Sequence, residues 1–178
     1  AEREVAVGAK AIAVDIDAAA LINMTAFGQP VSGKTVEQLQ ELKQKIDLPL
    51  IIKGILHPAD AFACMQAGVD AIVVSNHGGR VLDCAPGTAE VLPKIKQVVG
   101  DKLTILVDGG IRSGVDVLKM IALGADAVLV GRPLSFGACG GAEGVAFMLN
   151  KYQNEMVAAM IMMGCQTLDE VTDAVLYK

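Results

Sequence analysis

Gly124-Ala-Asp-Ala-Val-Leu-Val-Gly131 reads as a glycine able to close a helix, a two-residue link, and an apolar run suited to burial on both faces. The same pattern stands at Gly68-Val-Asp-Ala-Ile-Val-Val-Ser75 and at Gly8-Ala-Lys-Ala-Ile-Ala-Val-Asp15, the copies starting 60 and 56 residues apart. Two further apolar runs, Leu50-Ile-Ile-Lys53 and Leu103-Thr-Ile-Leu-Val-Asp108, fall between them. Together they make five strands, spaced about 28 residues apart, with room for one helix after each.

The helices carry their own start and stop signals. Thr35-Val-Glu-Gln38 is a capping box, with Val36, Leu39, Leu42 and Ile46 as one apolar stripe behind it. Pro58 suits the first turn of a helix closed by Gly68, and His57 before it is expected to be a cap or surface residue. Ser113-Gly-Val-Asp116 caps a helix that Gly124 ends. A long helix is expected over residues 143–163, followed by a short one over residues 168–175.

Strict β–α alternation implies a parallel sheet, either doubly wound or part of a (β/α)8 barrel. A closed barrel takes about 250 residues. The 178 residues here therefore predict either an open sheet or the C-terminal five units of one barrel domain, with the N-terminal units missing. The stretch AEREVAVGAK at the start is charged and helix-like rather than a secretory leader, in keeping with a chain that begins inside an element.

Composition narrows the function classes. Hydrophobic residues make up 53% and the mean hydropathy is +0.48, as buried parallel strands require. No apolar run approaches the roughly 20 residues of a membrane span. A net charge of −5 argues against general nucleic-acid binding. Cys64, Cys84, Cys139 and Cys165 are scattered, with no metal-ligand spacing, and predict free thiols in a reducing cytosol and no metal site.

Charge or glycine closes every strand: Asp15 and Asp17, Lys53, Ser75 to His77, Asp108, and Gly131-Arg132. Parallel strands place all those ends on one rim, where α/β proteins build their sites. Asp108-Gly-Gly-Ile-Arg-Ser-Gly114 is a glycine-rich strand-to-helix loop suited to an anion, through close backbone approach and the free N–H groups of the next helix. Gly131-Arg-Pro-Leu-Ser135 repeats the device one strand later, as a phosphate site would. Ser75-Asn-His-Gly-Gly-Arg80 places an imidazole able to take a proton three residues from a guanidinium able to grip a carboxylate bidentately. Lys53 reads equally as a solvated strand end or as a fixed positive charge for an anionic cofactor.

At these motifs the chain resembles the FMN-dependent 2-hydroxy-acid dehydrogenases, a family that includes glycolate oxidase, lactate oxidase and the flavin domain of flavocytochrome b2. Lys53-Gly54, Ser75 to Arg80, Asp108-Gly-Gly-Ile-Arg112 and Leu123 to Pro133 carry the resemblance, which covers essentially the whole chain. It implies a (β/α)8 fold, strands four to eight of which stand here, and FMN-dependent oxidation of a small L-2-hydroxy acid. It further implies that His77 is the base, paired with Asp15, and that Arg80 binds the substrate carboxylate. Lys53 and Ser75 would contact the flavin ring, and Asp108, Gly109, Gly110, Arg112, Gly131 and Arg132 would hold its ribityl chain and phosphate. Ala13 stands where the family commonly has threonine, and residues 18–34 lack the arginine usual there. The rival readings are another FMN barrel, such as a type 2 isopentenyl-diphosphate isomerase, or an inert assembly module. Two open sheet edges would favour a homo-oligomer.

Overall fold

The structure, a computed structural model, describes residues 7–20, 26–28 and 32–177. Residues 1–6 of the helix-like N-terminus, and residues 21–25 and 29–31 of the loop said to lack arginine, lie outside the described residues. Five strands, β1 (Ile12–Asp15), β2 (Leu50–Ile55), β3 (Ala71–Val74), β4 (Thr104–Val107) and β5 (Ala127–Val128), form one parallel sheet in the order β1-β2-β3-β4-β5. Strand order equal to chain order is what a barrel wall requires; a doubly wound sheet reverses part-way and carries helices on both faces. Here one face is sealed. Leu50, Ile52, Ile72, Val74, Ile105 and Val107 are each 0% exposed, whereas among the alternating positions Ala13, Asp15 and Thr104 are exposed, Ile51, Lys53 and Leu106 are half-buried, and only Ala71 and Val73 of the central strand are buried. The open face is the inner wall of a partial (β/α)8-type barrel.

The helices are α1 (Val36–Gln44), α2 (Pro58–Gln66), α3 (Thr88–Val99), α4 (Gly114–Ala122), α5 (Arg132–Ala138) and α6 (Gly141–Met163). Their ends follow the signals in the chain. Thr35 and Gln38 form the reciprocal capping box of α1, His57 accepts from Ala59 N–H at the start of α2, and Ser113 accepts from Asp116 N–H at the start of α4. Gly164 closes α6 in the left-handed region at φ +75.

The repeated glycine-x-aspartate has a structural use. Leu50 N–H donates to Asp70 Oδ2 at 2.7 Å, and Ile105 N–H donates to Asp126 Oδ2 at 2.7 Å. In return, Asp70 N–H donates to Leu50 O at 3.0 Å and Asp126 N–H to Ile105 O at 2.8 Å. Each aspartate thus clips the start of its own strand to the start of the strand before, and fixes register at the N-terminal end of the sheet. Lys10 takes that position in the first copy.

Two expectations need correction. The terminal helix over residues 168–175 is instead two 3-10 turns, Leu168–Glu170 and Asp173–Val175. Val171 between them leaves helical geometry (φ −82, ψ 82) and buries its side chain with Leu118 and Ala122 of α4, so tertiary packing overrides the helix. The fifth strand is also shorter than its apolar run, ending at Val128.

Candidate active site

The polar strand ends meet on one rim, and the turn after β3 is its most constrained part. His77 sits at φ +54, followed by Gly78 at φ +68 and Gly79 at φ +72. A non-glycine residue there costs on the order of 1–3 kcal/mol and persists only when its surroundings over-determine it. They do. Ser75 Oγ accepts from His77 N–H at 3.1 Å, and Asn76 Oδ1 accepts from Gly78 N–H at 3.0 Å. Asn76 Nδ2 donates to Pro86 O at 3.2 Å, and Arg80 Nε donates to His77 O at 2.9 Å. The Arg80 guanidinium is thereby tethered beside the imidazole, and the tether leaves its terminal Nη groups for a ligand. Ser75 is 0% exposed and, as the acceptor for His77 N–H, shapes the histidine turn from beneath.

The acid partner also differs from expectation. His77 Nδ1 lies 2.8 Å from Asp17 Oδ1, but 3.6 Å from Asp15 Oδ2, too far for a hydrogen bond. Asp15 instead accepts from Lys53 Nζ at 3.0 Å. The cause is register: β1 pairs with β2 so that Asp15 faces Lys53 directly, while Asp17 opens the 3-10 turn Asp17–Ala20 and reaches the β3 turn. Burial, the hydrogen bond to Asp15 and that residue's negative charge raise the Asp17 carboxyl above its usual value, against the opposing pull of His77 and Lys53. For Asp15, burial pushes upward, but hydrogen bonds to Asp17 and Lys53 and the charges of Lys53 and His77 bring the carboxyl below its usual value. As pH falls, Asp17 is the first of the two to take a proton. The ligand atoms of Asp15, Asp17 and His77 lie within 4.8 Å of one another, and Lys53 Nζ is the cation this cluster already holds.

The anion loops are built differently from one another. At β4, Thr88 Oγ1 donates to Asp108 O at 2.7 Å, and Gly109 and Gly110 follow at φ +91 and +76. Asp108 Oδ1 is buried without a hydrogen-bond partner, and a Cβ on Gly110 would meet nothing within 4 Å. Two amides in the first turn of α4, and one just before it, already have side-chain acceptors. Gly114 N–H donates to Glu155 Oε2 at 2.7 Å, Arg112 N–H to Asp116 Oδ2 at 3.1 Å, and Asp116 N–H to Ser113 Oγ at 3.1 Å. Anion binding at this loop therefore falls to the glycine backbone and to the exposed Arg112 side chain. After β5, Gly131 precedes Arg132, whose guanidinium passes Gly78 so closely that a Cβ there would lie 3.2 Å from it. A cavity of about 500 Å³ adjoins Gly109, Gly110 and Thr88, and one of about 280 Å³ lies beside Asp17, Asn76 and Leu82.

The rim thus collects Asp15, Lys53, His77 and Arg80 around the β1–β3 ends and Asp108 to Arg112 and Arg132 around the β4–β5 ends. Sequence reasoning gave no role to Thr88, Asn76 or Gly54. A proton acceptor with a carboxylate behind it, a tethered guanidinium and a basic glycine-rich cradle can together take a proton from an anionic substrate beside a phosphorylated cofactor.

Comparison with known proteins gives a consistent result. The family model for FMN-dependent dehydrogenase matches residues 17–178. A peroxisomal (S)-2-hydroxyacid oxidase of Arabidopsis thaliana is 45% identical over 148 residues, 83% of this chain and 40% of its own length. An L-lactate oxidase of Lacticaseibacillus rhamnosus is 49% identical over 134 residues, 75% of this chain and 36% of its own length. The crystal structure of mandelate oxidase superposes with a TM-score of 0.86 at 35% identity, covering 96% of this chain and 57% of that one. The chain spans about 40% of the length of the relatives it matches.

Proposed function

Because the chain belongs to the FMN-dependent dehydrogenase family, we propose that its rim serves the FMN-dependent oxidation of a small L-2-hydroxy acid, of lactate or glycolate size, to the 2-oxo acid. The observation that carries the proposal is the strained β3 turn, which fixes His77 against a carboxylate and ties Arg80 to the same turn. A diphosphate substrate gives no use to that pair, which favours the hydroxy acid over an isoprenoid diphosphate.

The residues fit FMN. The partnerless buried Asp108 Oδ1 suits a ribityl hydroxyl, the open backbone at Gly109 and Gly110 suits a close-lying chain, and Arg112 and Arg132, with Gly131, suit its phosphate. Lys53, half-buried and ion-paired, would place a fixed positive charge near the ring. FMN, when bound, supplies the two-electron acceptor for the hydrogen on C2.

The protein's own part is to bind, orient and move a proton. Arg80 holds the substrate carboxylate in a two-pronged grip. His77 Nε2 takes the proton of the C2 hydroxyl, and Asp17 on Nδ1 stabilises the imidazolium that results. The cytosol is the compartment we propose, on the strength of four unbridged cysteines. Taken as a separate polypeptide, the 178 residues would leave the outer edges of β1 and β5 unpaired among the described residues, and for that polypeptide we propose a homo-oligomer.

The test uses the natural polypeptide that carries these residues. FMN should give the spectrum of a protein-bound flavin, and L-lactate or glycolate added without oxygen should bleach it. A bound flavin that neither acid reduces overturns the substrate class, and a chain that binds no FMN overturns the proposal as a whole.

A further inference from the structure

Neither arginine of the anion cradle stands on the sheet. Four residues separate the end of β4 from Arg112, and three separate the end of β5 from Arg132. Their relative placement therefore falls to the helices that follow. Arg132 opens α5, and α5 is locked on α6, since a Cβ on Gly144 would run into Gly137 O. In turn α6 lies across the start of α4. A Cβ on Gly114 would run into Tyr152 O and would fall 2.7 Å from Met156 N and 2.8 Å from Glu155 Cβ. Only glycine lets the two backbones come that close.

One side chain ties this junction together. Glu155 Oε2 accepts from Gly114 N–H at 2.7 Å, two residues past Arg112, and Glu155 Oε1 accepts from Lys151 Nζ one turn earlier on α6. Lys151 and the Gly114 amide hold the Glu155 carboxyl below its usual value, so it is ionised at neutral pH. A carboxylate engaged at both oxygens is confined to one placement. Asp116 carries the constraint back toward the cradle, accepting from Arg112 N–H at 3.1 Å while its own N–H donates to Ser113 Oγ at 3.1 Å.

We infer that Glu155 is the positioning residue of the anion cradle: by capping α4 from α6 it braces the loop that carries Arg112 against the helix pair that carries Arg132, and so sets the spacing of the two guanidiniums. The use of that spacing rests on the reading of both arginines as holders of the FMN phosphate; the brace itself does not.

Flavin binding by the natural polypeptide that carries these residues, followed by fluorescence, tests the role, because riboflavin has the ring and ribityl chain of FMN without the phosphate. Two variants separate reach from charge. Glu155→Asp keeps the charge and withdraws the acceptor by one methylene, whereas Glu155→Gln loses the charge and keeps an oxygen at the same reach. The preference for FMN over riboflavin should fall about tenfold or more in Glu155→Asp, the share of one charge-assisted hydrogen bond, with riboflavin affinity unchanged. In Glu155→Gln the preference should stay near that of the parent. No fall in Glu155→Asp, a fall in Glu155→Gln that matches or exceeds it, or an equal loss for both flavins overturns the inference. Hydrogen exchange gives a reading that needs no flavin. Amides of residues 109–114 and 129–135 should exchange faster together in Glu155→Asp, while those of residues 71–77 keep the parent rate. Faster exchange on one arm alone, or on neither, also overturns the brace. A parent that binds neither flavin counts against the proposed function instead, and exchange then decides the brace by itself.

Discussion

At φ +54, with its backbone N–H and C=O both engaged by side chains, His77 can be replaced in its chemistry without being replaced in its shape. His77→Gln should leave flavin affinity close to that of the parent and slow flavin reduction by at least roughly 100- to 10,000-fold, the range that general-base catalysis supplies. Rapid-mixing absorbance with L-lactate checks it, and reduction at the parent rate would remove the residue from the mechanism. Arg80→Lys keeps the charge but loses the planar fork, so KM for the hydroxy acid should rise more than tenfold, a loss of about 1.4 kcal/mol or more. Asp17 sets a stability test of definite sign. Its carboxyl is raised in the folded chain, so its protonated form favours folding at acid pH, and that benefit is lost as pH rises through the folded value. Asp17→Asn, a permanent stand-in for the protonated form, should therefore equal or exceed the parent in stability near neutrality, the gap closing as pH falls toward the ordinary carboxylate range. Denaturant midpoints measured across that range would show it. Much of this rim was legible from sequence, because Ser75 to Arg80 and Asp108 to Arg112 are contiguous and need only one strand end each. The choice between Asp15 and Asp17 was not, because it depends on which residue of β2 each one faces.

Among the elements, the aspartate clips make the clearest demand. Asp126→Ala would leave Ile105 N–H, on a residue that is 0% exposed, without its acceptor. A cost of roughly 1–3 kcal/mol is expected, read from chemical unfolding, with faster hydrogen exchange at the Ile105 amide. The Asp70 clip also carries a pH dependence of definite sign. Burial pushes its carboxyl upward, but the hydrogen bonds from Lys43 Nζ at 2.6 Å and from Leu50 N–H, with the charge of Lys43, bring it below its usual value. Its contribution is present above the ordinary carboxylate range and lost as pH falls through the lowered folded value, a dependence that Asp70→Asn should remove. Strands and the helices between them were readable because the glycine-aspartate repeat, the capping box and Ser113 act within a few residues of themselves. The 3-10 turns near Val171 were not, since they answer to Leu118 and Ala122, some fifty residues away in sequence.

For the molecule as a whole, a sheet that starts at β1 and stops at β5 has an unpaired edge on each side among the described residues, and its inner wall is only partly covered. The 178-residue chain should therefore associate with itself, giving a sedimentation coefficient that climbs with protein concentration; a constant monomer value would argue that the edges are protected in some other way. The two ends of the sheet also differ in what they tolerate. The fasteners Asp70 and Asp126 stand where the strands begin, and the groups proposed for chemistry stand where the strands finish. Selection can thus rewrite one end while the other keeps the chain folded, which makes the architecture a ready source of new specificities. Randomising the loops that follow the strands should yield many variants that melt near the parent temperature but differ in substrate, whereas equal randomisation at the opposite end should yield few that fold.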